Sequence, residues 1–121
     1  MTTIAVMADP PREGLVATEL AATTPLTETE AAACYAAGLR DVLVAVDRSG
    51  GDLLVNYRPD DLLPAEHVTD TAAEAEVRAL AAAALEDPSD ARFEPQVGSS
   101  FGARAGNTVT HLLREEGVNS A

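Results

Sequence analysis

No lysine occurs anywhere in the 121 residues; all eight basic side chains are arginines, set against 20 carboxylates for a formal net charge of -12. A surface of that sign disfavours nucleic acid as a partner, because phosphate binding needs clustered Lys and Arg, and the chain has no basic cluster. Excess carboxylate stays hydrated where salt screens its self-repulsion, over a Debye length of about 3 Å at 1 M, so the composition points to an acidic, halophilic cytoplasm. Cysteine is nearly missing as well. Cys34 alone cannot close an intrachain disulfide, and its place on an apolar helix face reads as a small buried hydrophobe. Tryptophan is absent and aromatics make up 3% of the chain, so the core must be built from Ala, Val and Leu. Long apolar runs are absent too: nothing approaches a membrane span, and Met1-Thr2-Thr3 lacks the positive start of a secretory signal. A cytoplasmic protein without a membrane partner is the expectation.

What is present is a regular alternation of short apolar runs and helical patterns within the length of one domain, residues 1–121. Ile4 to Met7 is an apolar run that breaks into a loop from Ala8 through Pro10, Pro11 and Gly14 to Leu20. A buried strand followed by such a loop is how a nucleotide-binding α/β domain begins, since ligands sit beyond the carboxyl ends of parallel strands. Thr27 with Glu30 three residues on is a capping box, and it opens a helix with Tyr35, Leu39, Val42 and Val46 as the inward stripe, Leu43 alongside. Ser49-Gly50-Gly51 ends it. Asp52 to Tyr57 is a second strand, Leu62 to Asp70 is irregular, and Thr71 to Glu86 is a second helix with Ala73, Val77, Leu80 and Ala84 on one face. Ala91 to Val97 is a third strand; Pro95 confines it to an edge or ends it there. The turn Gly98 to Gly102 leads into a third helix with Val109, Leu112 and Leu113 inward and Gly117 as its cap. Val118 to Ala121 begins what should be a fourth strand. The pattern predicts an α/β fold, three-layer α/β/α, with a Rossmann-like parallel sheet in strand order three, two, one.

The opening loop, with Ala8, Pro11, Gly14, Thr18 and Leu20, continues in register into Leu26-Thr27, Glu30-Ala31-Ala32, Tyr35 and Asp41. A later element carries Gln96, Gly98, Gly102 and Arg104, with Phe101 where leucine is usual. These two motifs resemble the glycosyltransferase-A-like family of bacterial and archaeal proteins, which look like nucleotide-diphospho-sugar transferases. The resemblance covers the whole chain as the amino-terminal half of that fold. It implies a nucleotide over the first strands and a metal-binding Asp motif after the fourth, so a divalent cation would need residues beyond Ala121. It also implies a site lined by Arg12, Gly14, Thr18, Gln96, Gly98 and Arg104. Within the loop the chain departs from the family pattern. Asp9 and Ala17 stand where the family has lysine, and Glu19 where it has arginine. A carboxylate about 4 Å from a phosphate charge costs about 4 kcal/mol at an effective dielectric of 20. Arg12 is the one positive charge left in the loop, either a phosphate contact or a surface residue.

Other motifs compete. Gly98-Ser99-Ser100-Phe101-Gly102 matches the nucleophile elbow at a strand-turn-helix junction, yet no Asp follows Ser100, and His111 is the one later histidine. His67 and His111 have no second ligand at metal spacing. Asp60-Asp61 reads as the solvation of a turn, and Asn56 with Arg58 as a strand end that could touch a base or ribose. Four readings of function follow. The first is a relative of nucleotide-sugar-dependent transferases, inactive as this chain, with no catalytic base and no metal site. The second is a non-catalytic nucleotide-binding or assembly module. The third is a nucleotidyltransferase of the phospholactate guanylyltransferase type, and the last a serine hydrolase using Ser100. A first strand without its neighbour would leave an open sheet edge, and homodimerisation is the expected consequence.

Overall fold

The computed structural model describes residues 2–115. Gly117 as a cap and a strand over 118–121 fall outside them. Three parallel strands, β1 (Thr3–Ala8), β2 (Asp52–Tyr57) and β3 (Arg92–Pro95), lie in the order β1-β2-β3. The chain is therefore of the α/β class, with the strand order that the sequence predicts. β2 is central, which accounts for its nearly continuous burial. β3 lies at an edge, and its last residue is Pro95. β1 forms the other edge.

Helix α1 (Thr18–Thr23) is a single short turn of structure that no periodicity announces. α2 (Glu28–Ser49) opens on the predicted box: the Glu30 amide donates to Thr27 Oγ1 at 3.1 Å and the Thr27 amide to Glu30 Oε1 at 3.0 Å. It ends at Gly50. Its inward stripe is Ala31, Ala32, Leu39 and Leu43, with Tyr35 and Val46 half-buried. Two expectations are corrected. Val42 is exposed, about 60° around the helix from Leu39, at the margin of the stripe. Cys34 is exposed too, because five residues from Leu39 place it on the far side, about 140° away.

α3 (Ala73–Ala84) buries Ala73, Val77, Leu80 and Ala81 beside α2. Both helices pack on Val6, Ala8, Leu53, Val55 and Tyr57, so one sheet face carries the aliphatic core. Arg78 lies over the Phe93 ring at 4.4 Å and covers the core's rim.

The opposite face belongs to α4 (Phe101–Thr110) and the π-helical turn that follows it, His111–Glu115. Here the sequence expectation of Val109 and Leu113 as inward residues is overturned. Both are exposed, and the buried row is Arg104, Thr108 and Leu112 at i, i+4, i+8. The reason is polar pairing beneath the helix. Thr108 Oγ1 donates to the Asn56 side-chain carbonyl at 2.7 Å, and Asn56 Nδ2 donates to the Glu94 carbonyl at 3.0 Å. A hydropathy stripe cannot report such a face. Among the described residues, no helix is long and apolar enough to cross a membrane.

Candidate functional site at the strand ends

Each strand hands the chain to a polar residue at its carboxyl end. Ala8, Tyr57 and Pro95 are paired across the sheet, so the next residues, Asp9, Arg58 and Gln96, stand side by side at strand spacings of about 4.8 Å. The ladder carries on through them: the Arg58 amide donates to the Ala8 carbonyl at 2.9 Å, and the Gln96 amide to the Tyr57 carbonyl at 2.7 Å. Alternation turns all three side chains to the face that α4 covers, away from the aliphatic core. Ligands of open parallel sheets bind in this place.

The fourth member comes from α4. Ser100 caps the helix by accepting from the Ala103 amide at 3.2 Å, which sets its first turn over the strand ends. Arg104 then lies buried with its Nε donating to Gln96 Oε1 at 2.7 Å. Gln96 is committed on both sides, since its Nε2 donates to the Asn56 carbonyl at 2.8 Å. The tight approach needs Gly98. Its φ is 134°, and a Cβ there would sit 3.0 Å from the Arg104 amide nitrogen.

Arg58 repeats this anchoring, its Nε donating to the Leu62 carbonyl at 3.1 Å. Among the described residues, the terminal nitrogens of Arg58 and Arg104 make no hydrogen bond or ion pair. Neither does the Asp9 carboxylate. Burial raises the Asp9 carboxyl above its usual range, and the charges of Arg58 and Arg104 pull it back in part. Its backbone is held from below, where the Asp9 amide donates to the Tyr35 hydroxyl at 3.0 Å. Burial, opposed by that bond and reinforced by the nearby Asp9 charge, raises the Tyr35 phenol.

Of the six residues expected to line a site, Gln96, Gly98 and Arg104 come together here. Arg12, Gly14 and Thr18 do not join them. Arg12 is buried rather than on the surface, 8% exposed, and every guanidinium hydrogen is used. Nε and Nη2 donate to Glu76 Oε2, Nη1 to Asp60 Oδ1 and the His67 carbonyl, and Nη2 also to the Thr71 carbonyl at 2.8 Å. No donor remains for a phosphate. Asp60 likewise does more than solvate a turn: its second oxygen accepts from the Ala73 amide at 3.1 Å, at the start of α3. Gly14, with φ 77°, backs onto this assembly, where a Cβ would meet His67 Cε1 at 3.2 Å and Glu28 Oε2 at 3.3 Å. Thr18 is exposed on α1 and makes no side-chain hydrogen bond among the described residues.

Arg58, which the sequence offered only as a strand end able to touch a base or ribose, joins the cluster, and Asp9 and Tyr35 are additions to the expected set. The signal for Asp9 and Arg58 was position: Asp9-Pro10 and Arg58-Pro59 both stop a strand one residue before a proline. A separate cavity of about 280 Å3 lies between α4 and the β2–β3 face, lined chiefly by Leu54, Asn56, Val97, Asn107 and His111. On its rim Glu94 Oε1 lies 3.8 Å from His111 Nε2; none of Asp9, Arg58 or Arg104 lines it. Ser100 accepts a backbone bond as a cap. Among the described residues, no group of three or more His, Cys, Asp or Glu could hold a metal ion. No family model, no curated protein and no solved structure matches the chain.

Proposed function

We propose that the chain is a binding-competent relative of nucleotide-sugar-dependent transferases of the glycosyltransferase-A type, taking the phosphate of a nucleotide or nucleotide-sugar at the strand-end cluster. One observation carries this reading: Arg58 and Arg104 are each fixed through Nε, and their terminal nitrogens are left without partners at the carboxyl edge of a parallel sheet. Two guanidinium forks set this way suit the oxygens of a phosphate, which accepts bidentate bonds. The departure from the family pattern at the opening loop moves the anion's contacts from β1 to β2 and α4. Arg12, which the resemblance would assign to the phosphate, holds the loop in shape instead. The reading is of binding, carried by the two guanidinium forks with the free Asp9 carboxylate beside them.

Calorimetric titration of nucleoside diphosphates and their sugars at about 1 M KCl tests it, because surface charges are then screened within about 3 Å. Saturable heat that falls at least tenfold in affinity in Arg104→Gln supports the reading. No heat with any nucleotide rejects it and leaves the assembly module.

A further inference from the structure

We propose that Asp9 reads vicinal hydroxyls next to the bound phosphate, so that the strand-end site selects a phosphorylated sugar over a bare anion; this rests on the phosphate reading above. The argument is one of complementarity. The cluster presents two kinds of unmet hydrogen-bonding capacity at the strand ends, close enough for the arginine charges to act on the carboxylate: donors on Arg58 and Arg104, and an acceptor-only carboxylate on Asp9. An inorganic anion satisfies the arginines and faces Asp9 with like charge. A cation does the reverse. A ligand that joins an anionic group to neutral hydroxyl donors satisfies both, and a phosphate carried by a sugar has this form.

The formal charge points the same way. Two guanidiniums and one carboxylate sum to about +1, which fits a phosphate dianion with uncharged hydroxyls better than a neutral zwitterion such as an amino acid. Positioning is also in place. The Tyr35 hydroxyl fixes the Asp9 amide, Pro10 behind it is fully buried, and neither arginine closes an ion pair with the carboxylate. Asp9 therefore holds both oxygens open beside the forks without being consumed by them. A vicinal diol meets a carboxylate with two O–H donors, as ribose does with acidic residues in dinucleotide sites. The same chemistry is offered by the ribose of a nucleotide and by a hexose phosphate.

The test is calorimetry at about 1 M KCl with UDP and GDP, with their dideoxy counterparts lacking both ribose hydroxyls, and with glucosyl phosphate and its analogue lacking the hydroxyl beside the anomeric carbon. The proposal expects the hydroxyl-bearing member of at least one pair to bind about 10- to 100-fold tighter, the range for hydrogen bonds to a charged group. Which pair discriminates names the source of the diol. In Asp9→Asn the ratio should collapse below about threefold, while inorganic diphosphate binds about tenfold more tightly because a like charge is gone. Those opposite changes cannot come from a damaged fold, and the comparison on the unaltered protein needs no variant. Equal binding within both pairs overturns the role of Asp9 and leaves the phosphate reading standing. Glutamate binding more tightly than any phosphate overturns the proposal in favour of a zwitterion. No heat with any phosphate overturns both.

Discussion

Removal of the Arg12 side chain tests whether this residue is structural. In the wild type its five donors serve two carboxylates and two carbonyls drawn from the loop between β2 and α3 and from α3 itself, Asp60, His67, Thr71 and Glu76. Arg12→Ala leaves those carbonyls unpaired under the opening loop and strips both carboxylates of their cation. Breaking a buried pair costs about 3–5 kcal/mol. The carboxylates are 34% and 27% exposed at Asp60 and Glu76, so they recover hydration and the low end applies, about 3 kcal/mol. Against a total stability of roughly 5–15 kcal/mol this is a large fraction. With a urea slope of about 1.5 kcal/mol/M, the midpoint should fall by about 2 M, read by circular dichroism at about 1 M KCl. Arg12→Lys keeps the charge but loses the planar fork and should fall between the two. High salt should not remove the difference, since the guanidinium is buried. A loss below about 1 kcal/mol, or an unchanged fold with abolished nucleotide binding, would refute the structural role.

Gly98→Ala places a Cβ against the Arg104 backbone at positive φ, at a cost of about 1–3 kcal/mol; the melting temperature should drop by roughly 5–10 °C and any anion binding should weaken, because Arg104 shifts with its helix. Asp9→Asn should raise the melting temperature at neutral pH. Burial holds the native Asp9 carboxyl above its ordinary 3.8, so between that value and the raised one the folded state holds the proton more tightly and stability declines as pH rises. The variant's advantage should vanish below pH 3.8, where both states are protonated; an advantage that persists there contradicts the assignment. Ser100→Ala removes a helix cap and should cost about 1 kcal/mol in urea unfolding, with any background esterase activity unchanged; a lost esterase activity would revive the hydrolase reading.

Local chemistry was legible where one segment decides the outcome. Thr27 and Glu30 close their box within four residues, and Asp52 to Tyr57 is apolar because both of its faces are covered. Pro95 marks the edge strand and is its last residue. The failures share another cause: they depend on partners far along the chain. Arg12 reaches Glu76 across 64 residues and Asn56 meets Thr108 across 52, so neither the buried cation nor the polar underside of α4 leaves a periodic trace. A buried Arg104-Thr108-Leu112 row reads as an outer face until Gln96 and Asn56 are seen beneath it. The site followed suit. Arg12 and Gly14 were drawn away by one tertiary contact set and Thr18 lies exposed on α1, while Asp9 was visible only as a position one step beyond a strand.

The absence of lysine and the geometry of the strand ends belong to one argument. Arg58 and Arg104 each spend Nε on a fixed acceptor, Leu62 and Gln96, and a guanidinium so anchored still presents two terminal nitrogens in a known plane. An ammonium has a single donor atom. To bond the anchor it must turn its charge inward, and to face a ligand it must give up the anchor and wave on four rotatable carbons. In a chain with a net charge of -12, local positive charge facing an anion has to be held against many competing carboxylates. Anchored forks do that, whereas loose cations would fold onto the nearest acid, as Arg78 does with Glu74 and Arg92 with Glu94 at 3.1 and 2.7 Å. The same logic explains why Asp9 stays apart. With Nε of each arginine tied to its own neighbour, neither fork bonds the carboxylate, although both charges act on it, and the cluster keeps its donors and its acceptor open together.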